Sequence, residues 1–226
     1  MADGIAIVST GLSPSFPEGD GSRPSERAGS DILLVIGPAP ERVLPELDLT
    51  HCRAVLIELG HRSLREIINR NVAAKFHNIF GFARYGIGNK PGSVVELVAP
   101  PQSDMESLKA AKQVFAEVGL TVVVCHDAPG RILDRLIRPY LNQALNAVDR
   151  GLATADDLET TLKLGLGFPR GPLEILASDG LVNHFDIADR LYRALGEPSY
   201  LPAYDARAAA ASRDADLRLE SEDQDG

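Results

Sequence analysis

At 226 residues, 44% of them hydrophobic, the chain is long enough to bury a real core and to hold one large or two small domains. Its formal net charge of −9 argues against a nucleic-acid partner, and two cysteines, Cys52 and Cys125, cannot make a disulfide framework. No stretch is apolar enough to span a bilayer, and no basic segment precedes an apolar run at the amino terminus, so the sequence reads as cytoplasmic and not membrane-bound.

Ile5-Ala6-Ile7-Val8 is a short β-branched run that predicts a buried strand, with Ser9-Thr10-Gly11 as its turn. Residues 13–30 change to Pro, Ser, Gly, Glu and Arg; with so little apolar surface to bury, they predict a flexible loop. Ile32–Ile36 is a second buried strand, Glu41–Leu47 a short helix interrupted by Pro45, Ala54–Ile57 a third strand, and Ser63–Asn69 the start of a helix. Ile79–Ala83 and Val94–Val98 predict two more strands. Ser103–Val118 carries Met105, Leu108, Ala111 and Phe115 at helical spacing, and beyond Gly119 the run Leu120–Val124 is again a strand.

After Asp127 the pattern becomes all-helical. Apolar residues from Ile132 to Val148 recur at i, i+3 and i+4, with Pro139 placed to kink the helix and Gly151 to end it. Thr154 with Asp157 opens a shorter helix, Phe168-Pro169-Arg170-Gly171-Pro172 forms an elbow, and Leu181–Leu195 is a further helix stopped by Gly196 and Pro198. Between Asp205 and Gly226 seven acidic residues outnumber three arginines, which predicts a solvated, disordered acidic tail. The expected domains are thus residues 1–126, 127–204 and 205–226.

Several linked motifs lie in the helical half: Asp127-Ala128-Pro129-Gly130, Arg135-Leu136, Pro139-Tyr140-Leu141-Asn142, Leu164-Gly165-Leu166-Gly167, Pro169, Gly171-Pro172 and Glu174. In this order they resemble the C-terminal domain of the 3-hydroxyacyl-CoA dehydrogenase family, over a match running from about Val94 to Tyr204. The resemblance implies a trimmed α/β Rossmann-like N-terminal domain joined to an all-α C-terminal domain. It also implies dimerisation through the helices, an acyl-CoA cleft between the domains, and NAD as the cofactor of working members. Upstream, Ile5–Gly11 looks like the family's first strand and Asp31–Ile36 like its fourth, without the two βα units that carry the adenosine half of the dinucleotide. A dinucleotide fold uses a G-x-G-x-x-G turn at a helix N-terminus. Ser9-Thr10-Gly11-Leu12-Ser13-Pro14 keeps one glycine of the three and places a proline where the helix should run. Glu18 and Asp20 follow no second strand, so no residue is assigned to cofactor binding and NAD is not expected here.

The family resemblance implies a catalytic histidine at a strand end, oriented by a glutamate on the next strand, with serine and asparagine nearby. The imidazole takes the hydroxyl proton as hydride leaves, and the carboxylate holds its tautomer. Glu96 falls at the glutamate position and is the catalytic candidate; its other reading is an ordinary buried, hydrogen-bonded carboxylate. The histidine position falls on Ala83 or Arg84, depending on one gap. The serine aligns with Arg62, beside Ser63, and the asparagine with Asp134. Arg62, Ser63, Arg84 and Asp134 are accordingly the substrate-cleft candidates.

Arg131, Arg135 and Arg138 read as a solvated polar face, with contact to a CoA phosphate as the functional alternative, and Asp134 as a surface partner of Arg138. His77 reads as a surface histidine rather than a substitute base. His51-Cys52 and Cys125-His126 read as core thiols and not as a metal pair, since adjacent strand residues face opposite ways. Two functions follow. The first is a degenerate relative that binds an acyl-CoA ester or a sister subunit without NAD-dependent oxidation. The alternative is an active NAD-dependent 3-hydroxyacyl-CoA dehydrogenase of fatty-acid or related acyl-CoA catabolism, with an atypical or partner-completed cofactor site. The expected partner is a second copy bound through the helical domain, or a complete dehydrogenase in a heteromer.

Overall fold

A computed structural model describes residues 4–29, 31–68, 77–87 and 90–222. The chain divides into two compact units, Met1–Ile132 and Leu133–Gly226.

The first unit is built on one six-stranded sheet of β1 (Ile5–Ser9), β2 (Ile32–Ile36), β3 (Ala54–Glu58), β4 (Ile79–Ile87), β5 (Lys90–Val98) and β6 (Thr121–Cys125). The strands lie side by side in chain order. β1 to β4 are mutually parallel, β5 runs antiparallel to β4, and β6 is parallel to β5. β2 and β3 read ILLVI and AVLIE and are buried along their whole length, as strands covered on both faces must be. One face packs Leu34, Leu56, Phe82 and Leu97 against Ala111, Val114 and Phe115 of helix α2 (Met105–Ala116). The other packs Val35, Val55 and Ile57 against Leu64 and Ile67 of the short helix α1 (Leu64–Ile67). β1 and β2 are direct parallel neighbours, from Ile5 opposite Ile32 to Ser9 opposite Ile36. A doubly wound sheet sets its first and fourth strands beside each other in this way, which fits the loss of two βα units between them.

Three expectations change here. Residues 13–29 form no helix and, apart from one bridge at Arg27, no strand, yet they are not a loose loop: Ser13, Ser15 and Phe16 are buried. The Phe16 ring lies 6.0 Å from Phe82 and 6.4 Å from Phe115, and burying one such side chain contributes about 2–3 kcal/mol toward ordering the segment. Ser30 falls outside the described residues. Glu41–Leu47 forms two 3-10 turns, Pro40–Arg42 and Leu44–Glu46, because Pro45 has no N–H to continue a helix. The helix predicted from Ser63 spans Leu64–Ile67, and Asn69 falls outside the described residues. β4 and β5 are longer than predicted, their polar, glycine-containing ends pairing as the two arms of one antiparallel ladder.

The second unit contains α3 (Leu133–Asp149), α4 (Ala155–Leu166), α5 (Pro172–Asp179), α6 (Leu181–Leu195) and α7 (Tyr204–Glu222). Pro139 lies inside α3; Thr154 caps α4 by accepting from the Asp157 N–H at 3.2 Å, and Gly167 ends it in the left-handed region. The predicted disordered tail is instead helical as far as Glu222. The run Ala208-Ala209-Ala210-Ala211 favours helix, Ala206 and Ala210 are buried, and Arg213 pairs with Asp186 of α6 at 2.7 Å. Residues 223–226 fall outside the described residues. Among those described, no helix is long and apolar enough to cross a membrane.

The centre of this unit is polar, and Arg138, expected on a solvated face, lies inside it at 1% exposure. Its guanidinium donates to Asp134 at 3.2 Å, to Asp179 at 2.6 Å and to the His184 Nδ1 at 3.4 Å. The His184 ring in turn meets the Asn142 Oδ1 at 2.9 Å. With Arg138 donating to Nδ1, the imidazole proton sits on Nε2 and donates to Asn142.

Candidate active site

Glu96 sits in β5 directly across from Ala83 of β4. Its carboxylate is 4% exposed and fully engaged at both oxygens: Oε2 accepts from the Arg131 Nε at 3.1 Å and Oε1 from the Ile132 N–H at 3.0 Å. Arg131 reaches further, donating from Nη1 to the Arg62 carbonyl at 2.9 Å and from Nη2 to the Gly60 carbonyl. It therefore belongs to the interior and not to a solvated face, because three acceptors on two different segments converge on its guanidinium. Its backbone, at φ +47°, is the one non-glycine in the left-handed region among the described residues, a strain these contacts offset. Cys125 lies near this pair; burial, and then the Glu96 charge, push its thiol up to about 11, which leaves it unreactive at neutral pH.

The other candidates each have partners of their own. The Arg62 side chain pairs with Glu41 at 3.0 Å and donates to the Pro38 carbonyl at 2.8 Å. Ser63 caps α1, donating its N–H to Glu66 at 3.3 Å, while Asp127 accepts the next two amides, Leu64 at 2.7 Å and Arg65 at 3.1 Å. Arg84, one residue beyond Ala83, faces the other side of the sheet. There it binds Asp20, the Ser15 carbonyl at 3.3 Å and the Gly92 carbonyl, and lies 5.8 Å from the Phe16 ring centre. Asp134 is in the second unit, buried and paired with Arg138, so that pair is internal and not at the surface. The structure thus joins Glu96 to the Gly60 and Arg62 carbonyls through Arg131, with Ala83 across the ladder from Glu96, and sets Arg84 in a separate cluster.

That second cluster lies at the C-terminal ends of the parallel strands. Glu58, the last residue of β3, is 1% exposed. It accepts from the Ser13 hydroxyl at 2.9 Å, the Ser15 N–H at 2.6 Å and the Gly37 N–H at 2.6 Å. His77 is exposed, with Nδ1 2.9 Å from the Gln102 carbonyl. Among the described residues no group of three His, Cys, Asp or Glu side chains is arranged to hold a metal.

Residues 130–214 match the 3-hydroxyacyl-CoA dehydrogenase C-terminal domain family. The likeness is to that one domain, in the helical half of the chain. It is similar to the mitochondrial hydroxyacyl-coenzyme A dehydrogenase of Sus scrofa, 39% identical over 88 residues that make up 39% of this chain and 28% of that protein. It is also similar to a probable 3-hydroxybutyryl-CoA dehydrogenase of Deinococcus radiodurans, 30% identical over 110 residues, 49% of this chain and 40% of that one. These matches span less than half the length of either relative. The fold is shared with the (S)-3-hydroxybutyryl-CoA dehydrogenase of Ralstonia eutropha, with a TM-score of 0.68 at 20% identity, covering 81% of this chain and 66% of that one.

Glu58 and His184 carry signals in the sequence that mark them as buried, whereas Arg131 does not. Glu58 is a lone charge ending an otherwise apolar strand, which requires a partner for its carboxylate. His184 falls on the apolar stripe of α6 with Ile187, Ala188 and Leu191. Arg131 follows Gly130 in a tight turn, but nothing local marks its reach to Glu96.

Proposed function

We propose that this 3-hydroxyacyl-CoA dehydrogenase-like chain is a non-oxidising member that binds an acyl-CoA ester. The observation that carries the reading is Glu96 itself: it faces Ala83 and is held by Arg131. Hydroxyl oxidation needs a group to take the proton as hydride leaves, and the family resemblance puts an imidazole beside the glutamate for that task. A carboxylate can orient an imidazole only on its own face of the sheet, so the corresponding position is Ala83, whose methyl has no lone pair to accept a proton. Arg84 is on the opposite face, and Glu96 serves as an anchor for the 130–132 turn.

A purified sample tests this directly. With NADH and a 3-ketoacyl-CoA, nicotinamide absorbance stays flat; robust turnover, lost in Glu96→Gln, overturns the reading in favour of the NAD-dependent dehydrogenase. Thermal shift with CoA esters of varied chain length then separates ligand binding from a pure assembly role: a bound ester at about 100 times its Kd stabilises by about 2.7 kcal/mol.

A homodimer formed through the helical unit is the partner reading the surface favours. α4 has no buried residue, and Leu136, Leu164 and Leu166 are largely exposed, Leu164 at 82%. An apolar stripe on a two-turn or longer helix needs a cover. Sedimentation is expected to give twice the 24.2 kDa chain mass, and Leu164→Lys to give the single-chain mass; a wild-type monomer removes the dimer reading.

A further inference from the structure

We infer that residues 13–27 take the place, in cis, of the strands a dinucleotide-binding sheet carries beyond β1, closing both its outer edge and the strand ends where a nucleotide would lie. The inference rests on the non-oxidising reading and extends it from the catalytic pair to the cofactor surface.

The outer edge comes first. An edge strand offers a row of unpaired N–H and C=O groups to any extended chain. Here Ile5 exchanges two backbone hydrogen bonds with Arg27, at 3.2 and 3.0 Å, and the next outward amide, Ile7, donates to the Glu26 carboxylate at 3.3 Å. The approach is so close that a Cβ on Gly4 would overlap the Gly29 backbone. The Arg27 side chain fastens this return arm to α2 through Glu117 at 2.7 Å. A partner adding strands to complete the sheet finds β1 already taken along this stretch.

The strand ends are closed by the outgoing arm. A dinucleotide fold needs backbone N–H groups and a helix N-terminus turned toward the pyrophosphate. After β1 this chain enters no helix, and the amides of Ser15 and Gly37 are spent on Glu58. Asp20 meets Arg84. A pyrophosphate placed here would face two carboxylates already seated, Glu58 and Asp20, and donors already engaged. Admitting one means withdrawing Phe16 from its packing with Phe82 and Phe115. The residues present do not fit the family's cofactor.

Residue-resolved hydrogen exchange on the full wild-type chain tests this. The amides of Ile5, Ser15, Arg27 and Gly37 are expected to exchange within about tenfold of Leu34 in the central sheet. Titrated NADH or ADP-ribose is expected to leave the amide resonances of residues 9–16 and 37 unmoved. Exchange of those four amides as fast as that of Gly21 and Ser22 overturns the inference, as does a dinucleotide-induced shift in 9–16. The two readings fail separately. Fast exchange in a chain without turnover sinks the closure alone, whereas turnover with slow exchange and shifts only elsewhere sinks the non-oxidising reading alone.

Discussion

Replacing Arg131 by methionine is expected to destabilise the first unit by about 3–5 kcal/mol, the range for breaking a buried ion pair from one side. The side chain is 2% exposed and its partner Glu96 5%, so solvent cannot take over the lost interaction. The same change strips the Gly60 and Arg62 carbonyls of their donor and leaves a non-glycine at φ +47° without the contacts that offset its strain. Thermal unfolding followed by circular dichroism should fall by roughly 10–20 °C. The double variant Glu96→Gln/Arg131→Met should lose less than the sum of the two single changes, because it removes both charges together. If Arg131→Met unfolds within a degree or two of wild type, Glu96 is not an anchor and its assignment as a base reopens.

Acid is expected to weaken the second unit through His184. The ring is wholly buried; burial first, and then the Arg138 charge, hold its pKa down to about 4, against the opposing pull of Asp179 and Asp134. In the unfolded chain the imidazole titrates near 6.5. Above that pH both states are neutral and the full stability is present. As pH falls from about 6.5 to about 4 the unfolded state takes up a proton that the folded state refuses, at a total cost of about 3 kcal/mol. Protonating Nδ1 would set an N–H against the donating Arg138 guanidinium. Denaturant titrations across this window should show the loss, and His184→Leu, though less stable throughout, should flatten the slope. A wild-type profile level from pH 6.5 to 4 rules the account out.

The sequence announced the elements that local chemistry decides. β2 and β3 were readable because buried parallel strands are written as unbroken apolar runs, and α3 because its stripe persists through Pro139. What could not be read depends on partners far along the chain. The composition of residues 13–30 predicts a loop, yet its order follows from Phe16 meeting an aromatic pair and from Ser13 and Ser15 finding a carboxylate 45 and 43 residues away. Charge counting likewise hid the alanine run that makes α7 a helix. At the site, Glu96 could be placed by resemblance alone, but choosing between Ala83 and Arg84 required the strand register. The role of Arg131 required its backbone turn and three acceptors, none of them adjacent in sequence.

The Gly4–Gly29 crossing leaves the sheet's edge no room for a side chain. A larger residue at position 4 would push the return arm off the β1 flank and bare the amides of Ile5 and Ile7 to any other extended chain.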